Sequence, residues 1–222
     1  MRSERTDGLN ASTPIHLSEL ELDALTELVN LGISEAAGDL ATMVRQEVVL
    51  SVPRVALVGR DEAIHVLGGA EAKDLVAVHQ VFEGDIIGRA LLIFPEAKSL
   101  ELVRAVVGGE LSLEDIIELE QEALSETGNV ILNGCLGTIA NELERSLKIS
   151  LPEVLHGQSA DLFNLSPPPE SGDTVMLIYI HFAVRERDID GHIAMLLDMP
   201  SLAVLKDLLT AYIRRVAGDV QI

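Results

Sequence analysis

The sequence reads DALTELVN over residues 23–30 and, 99 positions later, EALSETGN over 122–129; in both cases 22 residues separate the closing asparagine from a proline, Asn30 from Pro53 and Asn129 from Pro152. The same shift superimposes Ala24 on Ala123, Leu25 on Leu124, Glu27 on Glu126, Asn30 on Asn129, Gly38 on Gly137, Ala41 on Ala140 and Ser51 on Ser150. Chance rarely holds that many identities over so short a stretch. Further along the offset drifts, to 103 for Gly88 and Gly191, as expected when loops change length and elements do not. The reading is of two related halves, about 17–109 and 113–216. Two copies are too few to bury the faces of a solenoid, which needs about three. The expectation is therefore one α+β domain over 17–222, internally duplicated about a pseudo-twofold axis, with an extended mixed or antiparallel sheet shared by both halves and long motif-bearing helices.

Working outward from the motifs, Ser18 with Glu21 three positions later forms a capping box, and Leu22, Leu25 and Val29 recur at helical spacing, so a helix should run from Ser18 to about Gln46. Glu47–Gly59 is Val-rich and interrupted by Pro53, which predicts strand, turn and strand. A Gly-containing connection should then lead to a hairpin of Leu75–Glu83 and Asp85–Pro95, followed by a helix over Ala97–Val107 that Gly108 stops. The pattern restarts with a helical period over 113–147 and a short β-like stretch to Pro152. A loop carrying Pro167, Pro168 and Pro169 follows, then strands at Thr174–Arg185 and Asp188–Asp198, and a helix from Ser201. Residues 1–16 begin with a polar run broken by Gly8 and Pro14 and are expected to be a flexible tail.

Composition excludes several functions. Sixteen Lys and Arg against 36 Asp and Glu give a formal charge of −20, which repels nucleic acid before any specific contact can form. It equally disfavours an anionic membrane surface. Aromatic residues are 3% with no Trp, so there is almost nothing from which to build a stacking platform. A single Cys excludes an internal disulfide, and no apolar run suits a membrane span or an export signal, so a cytoplasmic location is expected. His16, His65, His79, His156, His181 and His192 are scattered, with no ligand pair at helical spacing, so no metal or other cofactor is expected in this chain. Cys135 falls on the apolar side of the second long helix and reads as a small buried side chain, not a nucleophile.

What remains is the motif. On a helix, positions three, four and seven apart share a face, so Asp23, Glu27 and Asn30 point together while Leu25 and Val29 enter the core; Glu122, Glu126 and Asn129 do the same. A carboxylate can pair with a cation, and a carboxamide can orient water as donor and acceptor. Taken singly, Glu-x-x-Asn is an ordinary solvated helix face. Recurrence changes that reading, because a solvent-facing pair has no physical reason to persist in both halves while the surrounding surface diverges. Gly38 and Gly137, also paired by the repeat, suggest a close helix approach at the pseudo-twofold axis, beside the simpler reading of local tolerance. Pro53 and Pro152 are expected to end or bend the strand after each long helix.

At these residues the chain resembles the CheC-type chemotaxis phosphatases, a family that includes CheX and the phosphatase part of FliY. Their signature is Asp or Ser, three residues, Glu, two residues, Asn, 22 residues, Pro. Both copies here fit its Glu, Asn and Pro terms; Glu122 departs from the first term. The resemblance covers about residues 17–216. It implies hydrolysis of the aspartyl phosphate of a CheY-type response regulator at two sites, with Glu27 and Glu126 docking on a regulator Lys and Asn30 and Asn129 aligning water for in-line attack. Asp23, Glu122, Pro53 and Pro152 would support the motif, and Mg2+ would be held by the regulator. It further implies a second possible partner, the receptor deamidase CheD. A regulatory adaptor that binds CheY-P or CheD without appreciable turnover is the alternative. A flagellar-switch component of the FliY kind is a further one, against which only Ala217–Ile222 follow the last helical pattern.

Overall fold

The computed structural model describes residues 15–68, 74–108, 112–164, 174–184 and 187–218. The elements follow in the order α1 (Glu19–Val44), β1 (Val48–Gly59), α2 (Arg60–Gly68), β2 (Leu75–Gly84), β3 (Gly88–Pro95), α3 (Glu96–Val107), α4 (Leu113–Glu142), β4 (Leu147–Ile149), β5 (Glu153–Gly157), α5 (Ser159–Asn164), β6 (Thr174–Val184), β7 (Arg187–Leu197) and α6 (Met199–Ala217). The class is α+β, built on one sheet of seven strands. Its order is β1-β6-β7-β3-β2-β4, with β5 also on β2, and every pairing is antiparallel. β1 thus pairs with β6, both β4 and β5 pair with β2, and β3 and β7 meet in the middle.

Period-2 alternation decides what each face of the sheet buries. Along β2, Val76, Val78 and Phe82 enter the main core with Leu25, Ile33, Leu124 and Leu132 from the long helices, together with Leu102 and Leu205 of α3 and α6. Leu75 and Ala77 face the other way, into a smaller core with Ala63 and Leu67 of α2 and Leu162 and Phe163 of α5. The stretch 60–68, expected as part of a connection, is therefore a helix, and so is 159–164. They are only nine and six residues long, too short a window to establish a helical period, and are held by packing on the sheet.

Both long helices start on capping boxes, Ser18 with Glu21 and Ser112 with Asp115. α1 ends at Val44 with Arg45 left-handed at φ 54°, and α4 ends at Glu142, five residues short of the helical period in the sequence. β1 is one strand and not strand, turn and strand, but its register with β6 shifts between Ser51 and Arg54, across Pro53. At Pro152 the interruption is complete: β4 ends at Ile149, β5 begins at Glu153, and Pro152 lies between. Ser150 stays fastened to β2, donating its N–H to the Val81 carbonyl and accepting the Val81 N–H on Oγ, both at 2.9 Å. A residue without an N–H cannot continue the ladder, so each proline bends or breaks its strand as expected.

The helices α1 and α4 approach closely, but not at the glycines the repeat pairs. A Cβ at Gly38 or Gly137 would meet nothing within 4 Å. The contact lies instead at Gly32, where a Cβ would come within 2.8 Å of the Cys135 Cα, and at Gly134, where it would come within 2.9 Å of the Ala36 Cβ. The Thr138 hydroxyl donates to Glu35 Oε2 at 2.6 Å across the same pair. The expected tail and the proline run at 167–169 lie largely or wholly outside the described residues. Ile15 and Leu17 already pack against the core.

Glu21 ties α1 to α6. It is buried, receives the Ser18 N–H at 2.7 Å and the Thr210 hydroxyl at 2.9 Å, and pairs with Lys206 at 3.3 Å. Burial alone would raise its carboxyl pKa; the Ser18, Thr210 and Lys206 donors outweigh it and hold the group below its ordinary value of 4.5. A carboxyl depressed in the fold contributes stability that is complete above the unfolded value and is lost as pH falls through the folded one. Glu21→Gln is expected to cost about 1–2 kcal/mol at neutral pH and to flatten the loss of stability below about pH 4.5. Urea unfolding at pH 7 and at pH 4 measures both, and a variant with the wild-type slope against pH would refute the assignment.

Candidate functional site

Each long helix turns its motif outward in the same way. Asp23, Glu27, Glu122 and Glu126 are exposed, Asn30 and Asn129 are half-buried, and Leu25, Leu28, Leu124 and Thr127 beneath them are buried. The two ridges therefore match position for position, as helical spacing requires. None of the four carboxylates has an ion-pair or side-chain hydrogen-bond partner among the described residues, so their charges remain available to a cation from outside. Pro53 and Pro152 stand at the strand irregularities described above, remote in sequence from the ridges, and act on backbone geometry.

The carboxamides differ in their surroundings. Asn30 makes no side-chain hydrogen bond among the described residues; the neighbouring Ser34 hydroxyl donates to its backbone carbonyl at 2.8 Å. Asn129 Oδ1 accepts two bonds, from Gln80 Nε2 at 3.1 Å and from Asn133 Nδ2 at 2.9 Å. Gln80 comes from β2, is fully buried, and also donates to the Ser150 carbonyl at 2.9 Å. Gln80 and Asn133 escaped the sequence reading. The signal for Gln80 was present: in the inward row Val76, Val78, Gln80, Phe82 it is the single polar residue, and a buried polar side chain in an apolar row needs a partner.

α4 can lie this close to β2 because position 128 is glycine. A Cβ there would meet all three side-chain carbons of Val78 at 2.5–2.7 Å. The position 99 residues earlier is Val29, fully buried. The first ridge carries a buried side chain at that position, and the second carries none.

Two concavities flank the second ridge. One, of about 370 Å³, runs between α1 and α4 and is lined by Glu35, Asp39, Asn129, Asn133 and Asn141 among others. The other, of about 430 Å³, is bordered by Glu118, Gln121, Glu122, Ser125 and Glu126. Both are polar and acidic, suited to a cationic or hydrogen-bonding protein surface more than to an apolar ligand. Cys135 is fully buried, and burial pushes its thiol pKa up to about 12, so it is not a nucleophile. No cluster of three or more His, Cys, Asp or Glu suited to a metal ion occurs among the described residues. Nor is any described helix long and apolar enough to cross a membrane.

Comparison with known proteins agrees with this fold. The family described as chemotaxis phosphatase CheX matches residues 76–170, a span holding β2 and the second ridge. The CheY-P phosphatase CheC of Bacillus subtilis (strain 168) is 28% identical over 150 residues, covering 66% of this chain and 69% of that protein. The flagellar motor switch phosphatase FliY of the same organism is 23% identical over 198 residues, 88% of this chain and 50% of its own length. Among solved structures, FliY of Thermotoga maritima superimposes with a TM-score of 0.69 at 18% identity, over 89% of this chain and all of that one.

Proposed function

We propose, from the premise that this chain belongs to the CheC–CheX–FliY family of chemotaxis phosphatases, that it hydrolyses the aspartyl phosphate of a CheY-type response regulator at both ridges. The observation that supports this reading most is the matched pair of ridges, each with an exposed Glu, without a partner among the described residues, one turn before a half-buried Asn. In the reaction, the oxygen of a water attacks phosphorus, the bond from phosphorus to the aspartyl oxygen breaks, and the regulator's carboxylate and inorganic phosphate leave. An acyl phosphate has a good leaving group, and phosphoryl transfer depends mainly on alignment and charge stabilisation. A neutral carboxamide can hold the water in line without adding negative charge beside the phosphoryl oxygens. The charge stabilisation would come from the divalent ion in the regulator, and this chain would supply position.

Glu27 and Glu126 then act in docking, each meeting a Lys on the regulator, and their role separates from that of the amides in kinetics. The test is the decay of a phosphorylated CheY-type regulator with substoichiometric amounts of this protein. Faster decay with turnover is expected. Glu27→Gln combined with Glu126→Gln should raise KM about five- to tenfold and leave kcat within about twofold, the effect of an exposed charge pair worth about 1 kcal/mol at each site. The wild-type KM should rise with salt over the range in which charges about 10 Å apart become screened. Unaccelerated decay despite binding would overturn the enzymatic reading and leave an adaptor.

A further inference from the structure

We propose that Gln80, on a strand outside the motif, is a positioning residue of the second site, and that with Asn133 it fixes the Asn129 carboxamide with its NH2 group toward solvent. This rests on the hydrolytic reading above. One group in the network has an orientation that is not open to choice. The Ser150 carbonyl belongs to the backbone, and Ser150 is held on β2 by two bonds to Val81. A carbonyl can only accept, so the end of the Gln80 amide at 2.9 Å from it must be the NH2. That same NH2 lies 3.1 Å from Asn129, which must therefore turn its oxygen inward. The oxygen in turn takes the Asn133 NH2 at 2.9 Å. Rotating any one of the three amides by half a turn would set oxygen against oxygen or NH2 against NH2. The orientation propagates from the backbone to the surface.

The chemical consequence is a division of labour inside Asn129. Its oxygen has two lone pairs, and both are engaged, so the side of the carboxamide facing the regulator offers donors alone. Such a group holds the attacking water through the water's oxygen or grips a phosphoryl oxygen, and it does so in a geometry set before the regulator arrives. Asn30 has no counterpart of this network among the described residues and must be oriented by the bound regulator. The two sites are then unlike: the second is pre-organised, the first adaptable. Two buried atoms without partners, Gln80 Oε1 and Asn133 Oδ1, mark what the arrangement costs. A fully buried glutamine with its oxygen unsatisfied is a destabilising choice in an apolar row, accounted for if the NH2 end is needed.

The test uses Gln80→Met, which keeps the shape and removes the orphaned acceptor together with the donor; the Ser150 carbonyl and one lone pair of Asn129 lose their partner, so Tm should fall by a few degrees. It is read in two single-site backgrounds. In Asn30→Ala, where turnover runs through Asn129, Gln80→Met should lower kcat about tenfold with KM within about twofold. Combined with Asn129→Ala, it should add nothing, because the residue it positions is gone. Asn133→Ala, at a half-buried position of α4 outside the apolar core, should repeat the pattern at about threefold. A merely structural role would lower both backgrounds alike, and that result overturns the proposal. An unchanged kcat in the Asn30→Ala background also overturns it and leaves the hydrolytic reading standing. If the Asn30→Ala parent shows no turnover while Asn129→Ala does, the second ridge is not a site and the proposal falls; if neither parent nor the wild type accelerates decay, the hydrolytic reading itself fails and takes this with it.

Discussion

Replacing Asn30 and Asn129 together by alanine is expected to lower turnover of a phosphorylated CheY-type regulator by at least about 10²-fold, with binding retained. The magnitude is that of misaligning a nucleophile by about 1 Å in a reaction that depends on alignment. Each single change should remove only its own site's share, because the ridges lie on different helices and share no side-chain partner. The structural costs of the two changes differ, which makes a control possible. Asn30 has no side-chain partner among the described residues, so its loss should barely move stability. Asn129→Ala leaves the Asn133 NH2 without its acceptor and strips Gln80 of one of its two, at about 1 kcal/mol. A double variant that binds the regulator, melts within a few degrees of wild type and turns over at the wild-type rate would show that the amides do not carry the chemistry.

Much of this site was legible in the sequence because it obeys helical arithmetic. The capping box at Ser18 fixes where α1 starts, Leu25 and Val29 fix which face is buried, and Glu27 and Asn30 then have to face out. The strand irregularities at Pro53 and Pro152 were legible for a similarly local reason, the missing N–H. What escaped depends on distances between elements. Gln80 lies 49 positions from Asn129, and only the packing of α4 on β2 brings them together. The glycines teach the same lesson from the other side. Gly38 and Gly137 recur yet touch nothing, whereas Gly32, Gly128 and Gly134, which do not pair with one another in the repeat, are where backbones meet. A close approach depends on how far apart two axes run, and recurrence along one chain does not report that. The short helices α2 and α5 escaped because nine and six residues are too short a window to establish a period, and the sheet supplies what their sequences lack.

Gly128→Ala should expose the link between that packing and the chemistry. In a helix interior, alanine is favoured over glycine by about 1 kcal/mol, so the local expectation is stabilisation. Here the new methyl would lie 2.5–2.7 Å from the Cβ and both methyls of Val78, where carbon contacts need about 3.5–4.0 Å. Val78 is buried and β-branched, so it cannot swing aside. α4 has to lift by about 1 Å, and overpacking of this kind costs about 1–3 kcal/mol, more than the propensity gain at the upper end. The expected net loss is up to about 2 kcal/mol. The same lift would stretch the Gln80–Asn129 bond, now 3.1 Å, past hydrogen-bonding length and impair the second site while the first keeps its rate. Gly137→Ala, nine residues along the same helix and with nothing within 4 Å of the added methyl, should instead stabilise by about 1 kcal/mol. Urea unfolding of the two variants, with turnover of Gly128→Ala measured in the Asn30→Ala and Asn129→Ala backgrounds, decides the matter. If Gly128→Ala is as stable as Gly137→Ala, or slows both backgrounds equally, then the seating of α4 on Val78 does not set the second site.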